Sequence, residues 1–361
     1  VKNPTTFKIS HNFTTLIAGK GELALFENGK KVWQENVKDF DPIKIVADKN
    51  AARFLILTNS GVYQLLKNSN KLSKVFKGEN ITAMALYKNK IVLGTNDGII
   101  NVDAVSFKAS EINRSLPCNE ITALKNIKGD LWFGSKNGAF KLREDGKYDY
   151  YASKRWLPDN EVVDIAEGQE NSVLVLTSTG LSQINFTEMT LAEKAEYFQE
   201  IQRLRHIRYG FTGNIALSTP GDLTSGIMHD TDNDGLWTSM YLAAELFRYS
   251  VTKSEDAKIN AYEAFEAMER LTDISGVSGF PARAFEREGV ELDEGSNGFS
   301  QEQMIAWEKE NGKSWQLDET GRWKWKVSTS SDETCGHFFV YALFAELAPD
   351  KEWRDRAIRQ L

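Results

Sequence analysis

An apolar run closed by a polar turn and a glycine occurs four times in the first half of this 361-residue chain. Phe54-Leu55-Ile56-Leu57-Thr58-Asn59-Ser60-Gly61 recurs as Ile91-Val92-Leu93-Gly94-Thr95-Asn96-Asp97-Gly98. It returns as Leu131-Trp132-Phe133-Gly134-Ser135-Lys136-Asn137-Gly138 and as Val173-Leu174-Val175-Leu176-Thr177-Ser178-Thr179-Gly180. The closing glycines stand 37, 40 and 42 residues apart, and a shorter version, Leu23 to Gly29, precedes them. Each unit reads as a strand, a tight turn whose glycine supplies a positive φ, and a returning strand such as Val62 to Leu66. Another short strand lies upstream of each, at Ile43–Val46, Ile81–Met84, Ile121–Leu124 and Val162–Ile165. Units of about 40 residues with three or four strands are the pattern of β-propeller blades. One such sheet cannot bury both faces alone, so neighbouring sheets must stack.

Leu131 to Gly138 resembles the LWxGTxxG repeat of the two-component-regulator propeller family, and the resemblance spans residues 13–186, about half the chain. It implies a propeller of about five blades and says little of function, since propellers host many roles. The fifth unit is short. Thr6-Phe7-Lys8-Ile9-Ser10 is a candidate for its missing outer strand, which would close the ring.

Past Phe186 the apolar period changes from two to 3.6. Helices are expected over Leu191–Tyr209, over Trp237–Tyr249, and around Ile259, Tyr262, Phe265 and Met268, the last capped near Ser254. A fourth runs from Ser331 to Leu347, stopped by Pro349, and a fifth begins at Lys351. The expected fold is therefore multi-domain β + α, with a β-propeller over 1–186 and an α/α-toroid-like helical domain over 187–361. A toroid needs about twice as many helices, and Leu361 falls inside a helical pattern without a C-cap signal. The chain reads as part of a longer protein.

A net charge of −7 argues against nucleic acid or an anionic membrane as partner, because either demands a basic surface. No apolar run approaches the roughly 20 residues needed to cross a bilayer. Cys118 and Cys335, far apart and without metal-ligand spacing, read as two buried thiols.

Three of the four histidines and six of the nine tryptophans fall in the helical half, which directs the search for chemistry there. His206, Arg208 and Tyr209, with Asn214 beyond, combine an anion-binding fork with groups that move protons. His229-Asp230-Thr231-Asp232-Asn233-Asp234-Gly235 begins like a calcium loop, but Tyr241 stands where an EF-hand requires a bidentate Glu. Asp230, Asp232 and Asp234 are thus candidates for a different Ca2+ site. A third group runs Asp332-Glu333, Gly336-His337 and Tyr341, in which Glu333, His337 and Tyr341 share one helix face. There the carboxylate would orient the histidine and raise its basicity. Arg283, and the alternation Arg322-Trp323-Lys324-Trp325-Lys326, add cations and sugar-stacking rings.

Asp232–Trp237 and Thr329–Glu333 are similar to segments of secreted propeller-plus-toroid proteins of polysaccharide-using bacteria, some of whose toroids are polysaccharide lyases. That resemblance implies a secreted, periplasmic or cell-surface location and an acidic polysaccharide or oligosaccharide as partner. The residues then suggest β-elimination on a uronate-containing polysaccharide, of glycosaminoglycan or ulvan type. Arg208 or Arg283 would neutralise the carboxylate, His229 or His337 would take the C5 proton, and Tyr209 or Tyr241 would protonate the leaving oxygen. His206 would assist, while Asn214, Trp237, Arg322, Trp323, Trp325, Asp332 and Glu333 would bind substrate. Two alternatives stand beside it. One is a glycoside hydrolase using two carboxylates from this set; the other is a non-catalytic, propeller-led carbohydrate-binding or sensory protein.

Overall fold

The computed structural model describes residues 1, 3–10, 14–229, 232–290, 302–303, 306, 309–310 and 314–361, and divides into two compact units, Val1–Glu188 and Met189–Leu361. The first unit is a run of five antiparallel sheets in which consecutive strands pair in order. The first sheet holds β1 (Pro4–Ile9), β2 (Thr14–Gly19), β3 (Glu22–Glu27) and β4 (Lys30–Asn36). The second holds β5 (Pro42–Asp48), β6 (Arg53–Thr58), β7 (Gly61–Leu66) and β8 (Lys71–Lys77). The third has β9 (Ile81–Tyr87), β10 (Lys90–Thr95) and β11 (Gly98–Asp103). The fourth has β12 (Ile121–Ile127), β13 (Asp130–Ser135), β14 (Gly138–Leu142) and β15 (Tyr148–Tyr151). The fifth has β16 (Val162–Glu167), β17 (Ser172–Thr177) and β18 (Leu181–Asn185).

The second strand of each repeat is apolar on both faces because it is covered on both. Phe54 and Ile56 of β6 enter the core shared with the first sheet, while Leu55 and Leu57 enter the core shared with the third. Leu131 and Phe133 likewise face the third sheet, and Trp132 between them faces the fifth. Four separate inter-sheet cores result, each built by period-two alternation. Every leucine or phenylalanine so buried stabilises the stack by about 1.5–3 kcal/mol. The innermost strands touch in succession, β1 to β5, β5 to β9, β9 to β12 and β12 to β16, which is the stacking of propeller blades.

Two assignments within this unit are corrected. Thr6–Ser10 does not serve the fifth sheet, because it lies in and just after β1, the innermost strand of the first sheet, paired with β2. Leu23–Gly29 is one strand out of register: β2 and its turn, closing at Gly21, hold the place of the repeat, 40 residues before Gly61. The β2–β3 turn has the same two-residue length as those after β6, β10 and β13, but its glycine, Gly21, lies within the turn and Glu22 opens the returning strand where those repeats have glycine. The far faces of the end sheets are uncovered among the described residues, with Phe7 65% and Leu181 61% exposed, and a closed ring is not formed.

At the repeated turn, the hydroxyls of Thr95, Ser135 and Thr177 each donate to the carbonyl of the glycine three residues on, at 3.0, 2.7 and 3.0 Å. Thr58 makes the same bond to Gly61 at 2.9 Å. Gly61 itself has φ +132°, and a Cβ there would meet the Phe76 carbonyl oxygen at 2.0 Å. Gly61→Ala should therefore lower unfolding stability by about 1–3 kcal/mol. An unchanged urea midpoint for that variant would show that the β6–β7 turn is not the constraint it looks to be.

The second unit carries α1 (Leu191–Ile201), α2 (Asp234–Thr252), α3 (Glu255–Asp273), α4 (Ser331–Leu347) and α5 (Lys351–Gln360) among its described residues. Thr190 caps α1 in a capping box with Glu193. The expected helix to Tyr209 ends earlier: α1 passes into a π-turn over Gln202–His206 and then a strand, β19 (Ile207–Arg208), paired with β20 (Phe211–Thr212). A second short hairpin joins β21 (Asn214–Leu217) to β22 (Gly226–His229). A three-stranded sheet places β25 (Trp323–Lys326) between β23 (Phe285–Arg287) and β24 (Trp315–Leu317). Helix α2 packs on both α3 and α4, and α4 on α5, around one core centred on Phe265, Tyr341 and Phe344. Among its described residues the unit is thus mixed helix and sheet. Cys118 is half-buried and Cys335 is exposed rather than buried; both are free thiols.

Candidate functional site

Glycines set the site by letting α2 and α4 cross closely. A Cβ on Gly336 would lie 2.8 Å from Ser239 Oγ and 2.9 Å from Leu236 Cδ1. A Cβ on Gly235 would lie 3.2 Å from Glu333 Oε1 and 3.6 Å from His337 Nε2. The approach lays the Glu333 carboxylate over the first turn of α2, where the amides of Gly235 and Leu236 favour its charged form. Gly336 thus admits the backbone of α2.

Arg283 joins two carboxylates, with Nη1 3.2 Å from Asp232 Oδ2 and Nε 3.3 Å from Glu333 Oε2. Lys326 Nζ stands 2.7 Å from Asp232 Oδ1. Asp234, buried at the start of α2, lies close enough to Glu333 to act on its charge. Burial first, and Asp234 second, push Glu333 up to about 7, against the pull of Arg283 and the α2 amides.

His337 departs from its expected role. Its Nδ1 lies 3.3 Å from the Tyr341 hydroxyl and 3.4 Å from Thr272 Oγ1, which are 2.7 Å apart. The ring is thus oriented by a phenol and a threonine of α3 rather than by Glu333. Its basicity is not raised: burial holds it down to about 4, so the imidazole is neutral at physiological pH.

A second cluster surrounds β23 and β25. Arg208 Nε lies 3.4 Å from Glu286 Oε2, with the guanidinium over the Phe211 ring. Tyr209 meets Trp323 edge-on at 5.3 Å, and burial raises its phenol above the usual range. Arg270 stacks on Trp323 at 4.3 Å and Arg287 on Tyr209 at 4.6 Å. Glu286, Arg287 and Arg270 were not singled out from the sequence. The strand register that pairs Glu286 with Lys324 and Arg287 with Trp323 is the signal that links them.

The remaining candidates disperse. Tyr241 is buried beside Arg203 and Gln199, and burial raises its phenol. His206 Nδ1 lies 3.1 Å from the Gly213 carbonyl, tying the turn after α1. Trp325 is in the core and Trp237 is 46% exposed, so of these two only Trp237 can meet a sugar ring. Asn214, Arg322 and Asp332 are exposed. Asp230 and the side chain of His229 lie outside the described residues. Among the described residues no three acidic, histidine or cysteine groups gather to hold a metal ion, and Asp232 faces Arg283 and Lys326 instead. No helix of the described residues is long and apolar enough to cross a membrane.

No family model matches the chain, and no curated protein does. Solved structures with similar folds include the extracellular domain of a protein assigned as a hybrid two-component system of B. thetaiotaomicron. It is 14% identical with a TM-score of 0.44 over 52% of this chain and 28% of that one. Virginiamycin B lyase of Staphylococcus aureus is 13% identical, TM-score 0.40, over 51% and 70%. The WD40 β-propeller domain of Doa1 is 13% identical, TM-score 0.42, over 52% and 64%. The chain thus spans about a quarter of the length of the first of these.

Proposed function

We propose that this is a propeller-led carbohydrate-binding protein that holds an acidic oligosaccharide without cleaving it. The observation that carries the reading is that three of the groups offered for elimination are already paired or buried. Arg208 faces Glu286, Arg283 is shared by Asp232 and Glu333, and His337 is buried against Tyr341 and Thr272. An arginine matched to an internal carboxylate offers little to a substrate uronate, and a buried imidazole cannot reach a sugar C5 proton. A second reading, glycoside hydrolysis, is favoured by one feature. Glu333 keeps its proton near neutrality beside Asp232, as an acid and its partner carboxylate do.

Incubation with a panel of uronate polysaccharides and their oligosaccharides separates the readings. Calorimetric binding to at least one, with neither ultraviolet-absorbing unsaturated ends nor new reducing ends, is the expected result. Unsaturated ends would establish elimination and overturn the proposal. Reducing ends alone, abolished by Glu333→Gln, would establish the hydrolase, and no binding to any member would remove saccharide recognition.

A further inference from the structure

We propose that the innermost strands of the first unit form an anion site in which Lys44, flanked by Lys8 and Lys125, takes the carboxylate or sulfate of an acidic saccharide. The proposal rests on the saccharide-binding reading above and names where that ligand's charged group sits. Lys8, Lys44, Lys125 and Asp164 come from β1, β5, β12 and β16, the innermost strands of four different sheets. Lys44 Nζ donates to the Leu124 carbonyl at 2.9 Å, a bond that runs from the second sheet to the fourth. It therefore crosses the space between the innermost strands rather than running along its own sheet. Register explains the opening: Lys44 pairs with Leu57 as Ala83 does with Gly94 and Ala123 with Gly134. Alanines thus hold the equivalent places in the third and fourth sheets.

The charges do not balance. Lys125 Nζ stands 3.8 Å from Asp164, and among the described residues Asp164 is the carboxylate that acts on Lys44 against Lys125 and Lys8. Burial first, then Lys125 and Lys8, lower Lys44 to about 8, with Asp164 opposing. An ammonium carries three donors, and the Leu124 carbonyl takes one. A bound anion would accept the others and offset the repulsion among the lysines. The chain's net charge of −7 hides this patch, because acidic residues elsewhere outnumber it.

Two measurements on the intact chain test the site. In calorimetric titration with an oligogalacturonate, Lys44→Met and Lys125→Met should each bind at least tenfold more weakly than wild type. Binding retained by both variants would overturn the site while leaving saccharide recognition standing. In competitive acetylation at pH 8, Lys44 should be modified ahead of ordinary lysines, of which under about 1% are neutral there. Inorganic sulfate should protect it. Protection by sulfate without oligogalacturonate binding would keep the anion site and overturn the saccharide as its occupant. Lack of protection by either anion would sink the site itself, and this readout does not depend on a variant folding.

Discussion

Replacing Arg283 by methionine should lower the unfolding free energy by about 3–5 kcal/mol at pH 8. Methionine keeps much of the aliphatic stem, so the loss reports charge rather than volume. Asp232 retains Lys326 at 2.7 Å, but Glu333, 3% exposed, loses the guanidinium it is paired with. The amides at the start of α2 remain and soften the loss without supplying a full charge. The penalty should shrink below about pH 6, where Glu333 carries its proton and no buried charge is left unpaired. Urea unfolding followed by tryptophan fluorescence suits the experiment, because six of the nine tryptophans lie in this half. A loss under about 1 kcal/mol at pH 8 would mean that water already screens the cluster.

Glu333 and His337 should impose opposite pH dependences that hide one another in the native protein. Glu333 binds its proton more tightly when folded, at about 7 against 4.5, so its contribution falls as pH rises from 4.5 to 7. His337 binds its proton less tightly when folded, at about 4 against 6.5, so its contribution climbs as pH rises from 4 to 6.5. Each amounts to about 3 kcal/mol in full, and the two slopes oppose between pH 4.5 and 6.5. Glu333→Gln should unmask a steep gain of stability across that interval. His337→Gln should unmask a decline that continues to pH 7. Urea midpoints at three pH values across the interval would decide the matter, and parallel profiles for the native chain and both variants would refute it.

The two halves of this chain differed in how far local pattern could be followed. In the first, the double-sided burial of β6, β10 and β13 demands an unbroken apolar run, and a positive-φ glycine marks the turn after it. Both signals are local, so the sheets and their repeat could be read directly. The first sheet was placed one strand out because its turn departs from the pattern. The helices of the second half were legible for the same reason, with α2, α3 and α4 close to their expected spans.

The site was legible in its residue types and not in its connections. Asp232, Arg283 and Glu333 were all candidates, yet nothing local says that one guanidinium spans both carboxylates. Nor could spacing on α4 reveal that His337 turns to Tyr341 and Thr272 of α3 while Glu333 turns to α2. The three inner-strand lysines went unnoticed because they lie far apart in sequence and carry no motif.

Sequence alone determined the strand repeat, the change to helical period near residue 187, and the concentration of histidine and tryptophan beyond it. Those features follow from periodicity and turn chemistry, which act over a few residues. Tertiary structure decided which charges are paired, which histidine is neutral and where three lysines meet. Electrostatic energy and desolvation depend on distance through space and on what covers a group, and the order of residues along a chain specifies neither until the sheets and helices have packed.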